Sequence, residues 1–215
     1  MVAKNMKTTR CLGNPRRPLP DIQCKVSIVV SKMSYIVPVL MISFSRLASG
    51  LCRVPDLQRA KVNIGLGTDG APCNNTCDLL QEMKLAAIIH KGATQDPTVV
   101  PAESVLEMAT INGAKALGLD DKIGSLNIGK KADFVAIDMR KIHLQPWFNP
   151  VSAVVYTATG RDVELVVVDG NVVVNNGGLV TMDEQEIVRE AQKRSKEVVK
   201  RAGLDGRVQP IWPVE

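Results

Sequence analysis

The chain has 215 residues, of which 45% are hydrophobic, 23% are charged and 3% are aromatic. This length is enough to bury one sizeable core, and the low aromatic content predicts that aliphatic side chains fill it. Lys and Arg number 27 against 22 Asp and Glu, a formal charge of +5, but no basic stripe is interleaved with stacking aromatic side chains. The composition therefore argues against a nucleic-acid partner.

Cysteine usage and hydropathy bear on the compartment. The five cysteines are odd in number and no clear secretory signal precedes them, which predicts a reducing, cytoplasmic location. Cys73 and Cys77 have the spacing of half a zinc site, but no second Cys/His pair follows, so structural thiols are favoured. The apolar stretch 26–44 is interrupted by Lys32 and is too short for a membrane span of about 20 residues. It predicts a buried strand, with a targeting segment as the alternative, and no membrane partner.

The first clear pattern along the chain is a strand that ends in an acid. The chain sustains neither a helical nor a strand period before Val26, and residues 1–45 are predicted to be an unassigned leader. Residues 62–67 alternate as a strand does, and Thr68-Asp69-Gly70 follows as a turn. The turn exposes a carboxylate at the C-terminal end of the strand, a suitable place for chemistry. An isolated Asp in a turn is more often structural, so by spacing alone both interpretations stay open.

Two helices are predicted next. Asp78 is placed to cap a helix over residues 79–91 that ends at Gly92. His90 falls on the apolar side of this helix, which predicts a packing histidine with its hydrogen bonds satisfied. A second helix begins at Pro101, a favourable first position, and stops at Gly118. The order of strand, acid, helix and helix indicates an α/β architecture.

Short β-branched runs then replace the helical pattern. Asp169-Gly170 between two valine runs predicts a β-hairpin, and residues 119–180 are predicted to form a small β domain. The runs assigned to its strands are 132–138, 151–156, 163–168 and 172–174. Thr181 to Glu184 fits a capping box ahead of a helix to about Ala202. That helix is expected to dock on the body by an apolar stripe and to precede an extended tail.

Several motifs, in order along the chain, resemble those of a known family. They are Leu47-Ala48-Ser49-Gly50, Gly65-Leu66-Gly67-Thr68-Asp69-Gly70-Ala71 with Asn74-Asn75, Ala109-Thr110-Ile111-Asn112-Gly113-Ala114-Lys115-Ala116-Leu117-Gly118, Gly124-Ser125-Leu126, Gly129-Lys130-Lys131-Ala132-Asp133, and Asp138. Together they resemble the C-terminal portion of the amidohydrolase superfamily, over about residues 46–203. The branch they resemble holds the methylthioadenosine and S-adenosylhomocysteine deaminases and the triazine chlorohydrolases.

The resemblance implies a fold class and a chemistry. The fold would be α/β, the incomplete C-terminal part of a TIM-like (β/α) barrel plus a small β-sandwich-type domain. In the family a divalent metal, commonly zinc or iron, is held by a His-x-His pair after strand one, histidines after strands five and six, and an aspartate after strand eight. Asp69 matches that aspartate, and would be both a metal ligand and the catalytic group that orients the attacking water and moves its proton.

The implied substrate is an amino-bearing purine nucleoside or related heterocycle, hydrolysed at a non-peptide carbon–nitrogen bond. The resemblance places Asn74 and Asn75 in the active-site loop, and it identifies no substrate-binding residue. The predicted units are the leader 1–45, the last barrel strand with its flanking helices at 46–118, the β domain 119–180, a docked helix at 181–203 and a tail at 204–215.

The sequence departs from the family in its histidines. The chain has two, His90 and His143, and neither belongs to a His-x-His pair; His143, in a loop beside Pro146, is also predicted to be structural. Ser43-Phe44-Ser45-Arg46 stands where the family shows Ser-Asn-Leu-Lys. One carboxylate does not hold a catalytic metal, which needs about three protein ligands. We therefore expect a truncated form with little or no activity alone, or alternatively a non-catalytic, regulatory product that associates with a full-length homologue.

Overall fold

A parallel strand pair with helices is followed by an antiparallel sheet in the computed structural model, which describes residues 35–39 and 50–207. Residues 1–34, 40–49 and 208–215 lie outside the described residues, and with them most of the predicted leader and tail. The strands are β1 (Tyr35–Val39), β2 (Asn63–Leu66), β3 (Phe134–Ile137), β4 (Val163–Val168), β5 (Asn171–Asn175) and β6 (Gly178–Leu179). The helices are α1 (Val54–Arg59), α2 (Ala71–Asn74), α3 (Leu79–Thr94), α4 (Ala102–Ala109), α5 (Ile111–Leu117), α6 (Pro150–Tyr156) and α7 (Glu184–Arg201).

β1 and β2 form a parallel pair, in which Ile36 is opposite Ile64 and Val39 is opposite Leu66. Parallel neighbours need a crossover connection, and α1 lies in that connection. β2 approaches α5 closely because both elements present a glycine: a Cβ atom on Gly65 would lie 3.3 Å from the Cα atom of Gly113. The predicted strand at 62–67 is therefore confirmed as β2, with helices packed against it.

An aliphatic core joins β2 to α1, α3, α4 and α6, as the composition predicts. Its members are Cys52, Val54, Ile64, Leu66, Met83, Ala86, Ala87, Val100, Ala102, Val105, Met108 and Val155. Burial of such side chains contributes about 1.5–3 kcal/mol each relative to exposure, so this cluster is the main source of stability in the part of the chain that the structure describes.

Two helix boundaries differ from the predictions. α3 continues past Gly92 to Thr94 and ends at Gln95, which adopts the left-handed conformation with φ of 55°. The single helix predicted over residues 101–118 is broken at Thr110, whose φ of −129° and ψ of −99° separate α4 from α5. Gly118 ends α5 in the left-handed conformation, as predicted.

The prediction of a strand at 151–156 is wrong, because these residues form α6. Asn149 caps this helix by accepting hydrogen bonds from the backbone N–H groups of Val151 and Ser152, and Pro150 occupies its first turn. Ala153 and Val155 are buried, and α6 packs on α3 and α4. Capping and tertiary packing thus override the β propensity of the valines.

The other three predicted runs form β3, β4 and β5. Together with β6, which was not predicted, they make a sheet with the strand order β3-β4-β5-β6, antiparallel throughout. The predicted hairpin joins β4 to β5 through Asp169 and Gly170, which have φ of 51° and 79°. Two successive left-handed residues are typical of a type I′ turn. A second sheet that would complete a sandwich is not present among residues 50–207.

α7 begins after Asp183, whose side chain accepts hydrogen bonds from the N–H groups of Gln185 and Glu186. The cap is therefore Asp183 and not the predicted Thr181. No residue of α7 is buried, and Ile187 and Val198, which belong to the stripe expected to dock, are 45% and 51% exposed. The predicted docking of this helix on the body is absent from the described part of the chain.

Candidate active site

Asp69 lies three residues beyond the end of β2, in an exposed loop. Its backbone is left-handed, with φ of 62°, a conformation that Asp tolerates better than most residues. Its Oδ1 atom accepts a hydrogen bond of 2.7 Å from the N–H group of Gly70. The carboxylate therefore stands at the C-terminal end of a parallel strand, where barrel active sites are built.

A buried amide holds this loop in place. Asn74, which is 3% exposed, donates from Nδ2 to the carbonyl oxygen of Thr68 at 2.5 Å and to Oε1 of Glu82 at 2.7 Å. Its Oδ1 accepts from the hydroxyl of Thr76 at 2.9 Å. Since Thr68 directly precedes Asp69, the amide ties the backbone beside the carboxylate to α3.

Glu82 is fully buried, and we did not predict a role for it. It lies on the face of α3 that carries Leu79, Met83 and Ala86. A charged residue within an apolar stripe predicts a buried polar contact, because a buried charge needs a polar partner. That partner is Asn74, which the family motif places in the active-site loop. Short-range pattern does not reveal the pair because its two members lie on different elements.

Asp78 connects the start of α3 to the distant segment before β4. Its Oδ1 atom accepts from the N–H groups of Leu80 and Gln81 as the helix cap, and its Oδ2 atom accepts from the N–H group of Gly160 at 3.0 Å. A Cβ atom on Gly160 would lie 3.1 Å from Oδ2. The helix that supports the Asp69 loop is thereby fixed at its N-terminus.

The two histidines lie in different surroundings, and among the described residues neither belongs to a group of three or more possible metal ligands. His90 is 2% exposed, as its place on the apolar face of α3 predicts, but its Nε2 atom has no hydrogen-bond partner, so the expectation of a satisfied histidine is wrong. Burial, with a smaller contribution from Lys91, lowers the pKa of His90 to about 4. His143 contacts Asp162, with 3.0 Å between Nε2 and Oδ2, a structural role.

The described residues alone do not fit a metal ion. Within residues 35–39 and 50–207, no group of three or more His, Cys, Asp and Glu side chains is arranged to hold one. Asp69 is an oxygen donor of the right chemical type for a divalent metal, but a catalytic zinc site needs about three protein ligands. Among the same residues, no helix combines the length and apolar character needed to cross a bilayer.

Comparison with known proteins identifies the family and several relatives. The model of the amidohydrolase family matches residues 2–173, a longer stretch at the N-terminal side than the motifs cover. The chain is 49% identical over 152 residues to a 5-methylthioadenosine/S-adenosylhomocysteine deaminase of Acetivibrio thermocellus, covering 69% of this chain and 35% of the relative. It is 48% identical over 161 residues to a 5'-deoxyadenosine deaminase of Methanosarcina acetivorans, covering 75% and 37%.

Solved structures with a similar fold include a deaminase and a chlorohydrolase. An adenosine deaminase from Xanthomonas campestris with bound zinc superposes with a TM-score of 0.74 and 36% identity, over 77% of this chain and 38% of that chain. An atrazine chlorohydrolase from Arthrobacter aurescens complexed with zinc gives a TM-score of 0.67 and 29% identity, over 73% and 35%.

The parallel strand pair, the helices packed on it and the similar solved structures define part of a TIM-like barrel. The chain belongs to the amidohydrolase family, and its fold is an incomplete part of that barrel with a small β domain. It spans about a third of the length of the curated relatives it matches, 35% and 37% for the two named above.

Proposed function

We propose that this chain carries the strand-end carboxylate of a deaminase-type amidohydrolase, and that it neither holds a catalytic metal nor deaminates on its own. The substrate class is an amino-bearing purine nucleoside or related heterocycle, because the relatives are deaminases of such compounds. The observation that carries the proposal is the position of Asp69 at the end of β2, in a loop fixed by the buried contact between Asn74 and Glu82.

The proposed reaction is hydrolysis of an exocyclic carbon–nitrogen bond. A water oxygen adds to the ring carbon that bears the amine, the carbon–nitrogen bond breaks, and ammonia leaves with a carbonyl remaining on the ring. Asp69 is the group in this chain placed to accept the proton of the water and return it to the departing amine. The proposal includes the division of the chain into structural units at 46–118, 119–180 and 181–203, and a cytoplasmic location. It names no substrate-binding residue.

The inactivity of the chain alone is tested by metal content and ammonia release. The purified chain is loaded with zinc, iron or manganese and desalted, and ammonia release from 5'-deoxyadenosine and methylthioadenosine is measured. We expect well under one metal per chain and no release, because one carboxylate supplies one of the about three protein ligands that are needed. One metal per chain together with turnover would overturn this half of the proposal.

The role of Asp69 is tested separately from activity. Manganese ions at low occupancy broaden the NMR signals of nearby residues, so we expect broadening centred on residues 67–75 in the wild-type chain. Asp69→Asn should abolish it, whereas Asp121→Asn, a change at another exposed loop carboxylate, should not. Equal broadening in the wild type and in Asp69→Asn contradicts the assignment of Asp69 as a ligand.

The alternative function is a non-catalytic product that associates with a full-length homologue. It is favoured by one observation: among the described residues β2 pairs with β1 alone, whereas a strand of a closed barrel is paired on both sides. An unpaired strand edge favours addition of another strand. Sedimentation of this chain mixed with the intact deaminase of a relative tests the idea, and two independent boundaries at all mixing ratios count against it.

A further inference from the structure

The chain contains three Asp-Gly dipeptides, at 69–70, 169–170 and 205–206. In such a dipeptide the backbone nitrogen of the glycine is able to attack the Asp side chain, because glycine has no Cβ atom to hinder the approach. The first two dipeptides lie in exposed turns, and the Asp of each has a left-handed backbone, with φ of 62° for Asp69 and 51° for Asp169. Sequence, exposure and the φ angle of the Asp therefore do not distinguish these two sites.

The contacts of the glycine nitrogen do distinguish them. At the first site, the N–H group of Gly70 donates a hydrogen bond of 2.7 Å to Oδ1 of Asp69. Since Cγ is bonded to Oδ1, this carbon lies one covalent bond from the atom that the nitrogen already contacts, and close contact of this kind speeds an intramolecular reaction. Among the residues that the structure describes, neither of the other two Asp-Gly dipeptides has a hydrogen bond from its glycine N–H group to the preceding carboxylate.

Asp169 and Gly170 are both held by other groups. The N–H group of Gly170 donates to the carbonyl oxygen of Ala132 at 3.1 Å, and Oδ2 of Asp169 pairs with Nζ of Lys131 at 2.8 Å. Attack at this site first requires the backbone hydrogen bond to open, which lowers the population of reactive chains. The β4–β5 hairpin therefore supplies a matched site in the same chain, one that differs from the first site in its contacts.

We propose that Asp69 and Gly70 are the site of a spontaneous rearrangement of the chain to isoaspartate. The nitrogen of Gly70 bonds to Cγ of Asp69, and one carboxyl oxygen leaves as water with the amide proton and a proton from solvent. The product is a five-membered succinimide ring. Water then adds to one of the two ring carbonyls. Opening at the side-chain carbonyl restores Asp69, whereas opening at the backbone carbonyl leaves a main chain that runs through Cβ.

The rearrangement changes the carboxylate that follows β2. In isoaspartate the Cβ methylene becomes part of the main chain, and the remaining carboxylate is attached directly to Cα. The loop is therefore longer by one carbon atom, and the acidic side chain is shorter by one. The consequence for metal binding rests on the proposed function: if Asp69 is the metal ligand, a chain with isoaspartate at this position has lost it. The chain then carries its own route to irreversible loss of the site.

The experiment measures the rearrangement in the full chain. The chain is aged at neutral pH in water enriched in ¹⁸O, with a thiol reductant present, and its tryptic peptides are analysed by mass spectrometry. Each passage through the succinimide introduces one ¹⁸O atom, and electron-transfer fragmentation distinguishes isoaspartate from aspartate. Asp69 and Asp169 fall in different peptides, 62–84 and 162–189. We expect ¹⁸O to enter at Asp69 roughly tenfold faster than at Asp169, the value of one hydrogen bond that must open.

Two controls separate the folded geometry from the dipeptide sequence. In urea, where both sets of contacts are lost, the rates at Asp69 and Asp169 should become similar. Gly70→Ala keeps Asp69 but places a Cβ atom beside the attacking nitrogen. The fold tolerates this change, because Gly70 has φ of −77° and the new atom would lie 3.6 Å from Cδ of Pro72. We expect it to remove most of the ¹⁸O uptake at Asp69 and to leave Asp169 unchanged.

The proposal is wrong if the folded chain takes up ¹⁸O at Asp69 no faster than at Asp169, if urea leaves the ratio of the two rates unchanged, or if Gly70→Ala reacts as fast as the wild type. The proposed function is tested separately, by the manganese broadening around residues 67–75. The isoaspartyl chain, separated from unreacted chain by chromatography, should lose this broadening. If it retains the broadening, the assignment of Asp69 as a ligand is wrong and the rearrangement stands.

Discussion

Residues 51–118 and residues 119–207 are stabilised in different ways. In the first region, β2 and its helices share a cluster of fully buried aliphatic side chains. In the second region, Val167 is the one buried residue of the sheet β3–β6, and α7 has none. Val135 and Val168 are half exposed. The first region is held by burial, whereas the second is held by strand hydrogen bonds and by a few polar contacts, except for α6, whose Val155 belongs to the core of the first region.

Mutations should therefore affect stability differently in the two regions. Removal of an apolar side chain costs transfer energy and leaves a cavity only where the side chain is buried. Removal of an exposed valine from the sheet costs little transfer energy and leaves no cavity. The apolar surface of these valines is accessible to another chain. Stability in the second region should depend instead on turns and on buried polar groups such as Asp162, which is 1% exposed.

A matched pair of methionines tests this contrast most strongly. Met108 is 1% exposed in the core and Met182 is 63% exposed before α7. Met108→Ala should lower the free energy of unfolding by about 2–5 kcal/mol, because it leaves a cavity between α4 and its neighbours. Met182→Ala should change it by less than about 0.5 kcal/mol. Urea denaturation measures both, and equal effects would show that the first region has no tightly packed core.

The buried histidine should make the first region sensitive to mild acid. The pKa of His90 is about 4 when folded and about 6.5 when unfolded, so the unfolded chain takes up the proton first. The free energy of unfolding should therefore fall by about 3 kcal/mol between pH 6.5 and pH 4. His90→Gln should remove this loss in denaturation curves collected across the range, and His143→Gln should not. An unchanged slope in His90→Gln refutes the assignment.

Asp162 should give the second region a different acid range. Burial alone would raise the pKa of this carboxyl, but hydrogen bonds from His143, Thr159 and Lys141 lower it to about 2. Because the pKa of Asp162 is lower in the folded than in the unfolded chain, its ionised carboxyl stabilises the folded state above about pH 4. This stabilisation is lost as pH falls to about 2. The loss is about 2 kcal/mol. Asp162→Asn should remove it in acid denaturation, while Asp169→Asn, at an exposed carboxylate, retains it.

The junction between the regions can be tested with two glycines. Gly124 and Gly129 have left-handed backbones, with φ of 85° and 91°. A Cβ atom on Gly124 would lie 2.7 Å from Cβ of Ala114 in α5, whereas nothing lies within 4 Å of one on Gly129. Both alanine variants lose about 1 kcal/mol from backbone strain, and Gly124→Ala loses about 1–3 kcal/mol more from overpacking. Thermal unfolding gives the difference, and equal losses mean that the junction is loosely packed.

Much of the first region follows from local pattern. The alternation at 62–67 predicts β2, Asp78 predicts the start of α3, and the motif around Asp69 predicts a carboxylate at a strand end; each depends on residues within a few positions of one another. The boundaries are less accurate: α3 passes Gly92, and Thr110 divides one predicted helix into two. A glycine ends a helix only where the residues that follow are more stable outside the helix than within it.

The errors in the second region have one physical origin. The valines at 151–156 have the β propensity of a strand, but they form α6 because a cap and the apolar surface of α3 and α4 favour a helix there. α7 has the caps and period of a helix, and the sequence could not specify what its stripe contacts. Propensity is local, whereas burial is decided by whichever elements come together.

The sequence by itself determined the family, the element that carries Asp69 and the shortage of histidines, because motifs and residue counts are properties of the chain. The tertiary structure alone decided that Asn74 and Glu82 meet in the interior, and that Asp78 accepts a hydrogen bond from the N–H group of Gly160. Contacts of this kind join residues that are distant in sequence, and their energy depends on burial and on partners that no local pattern encodes.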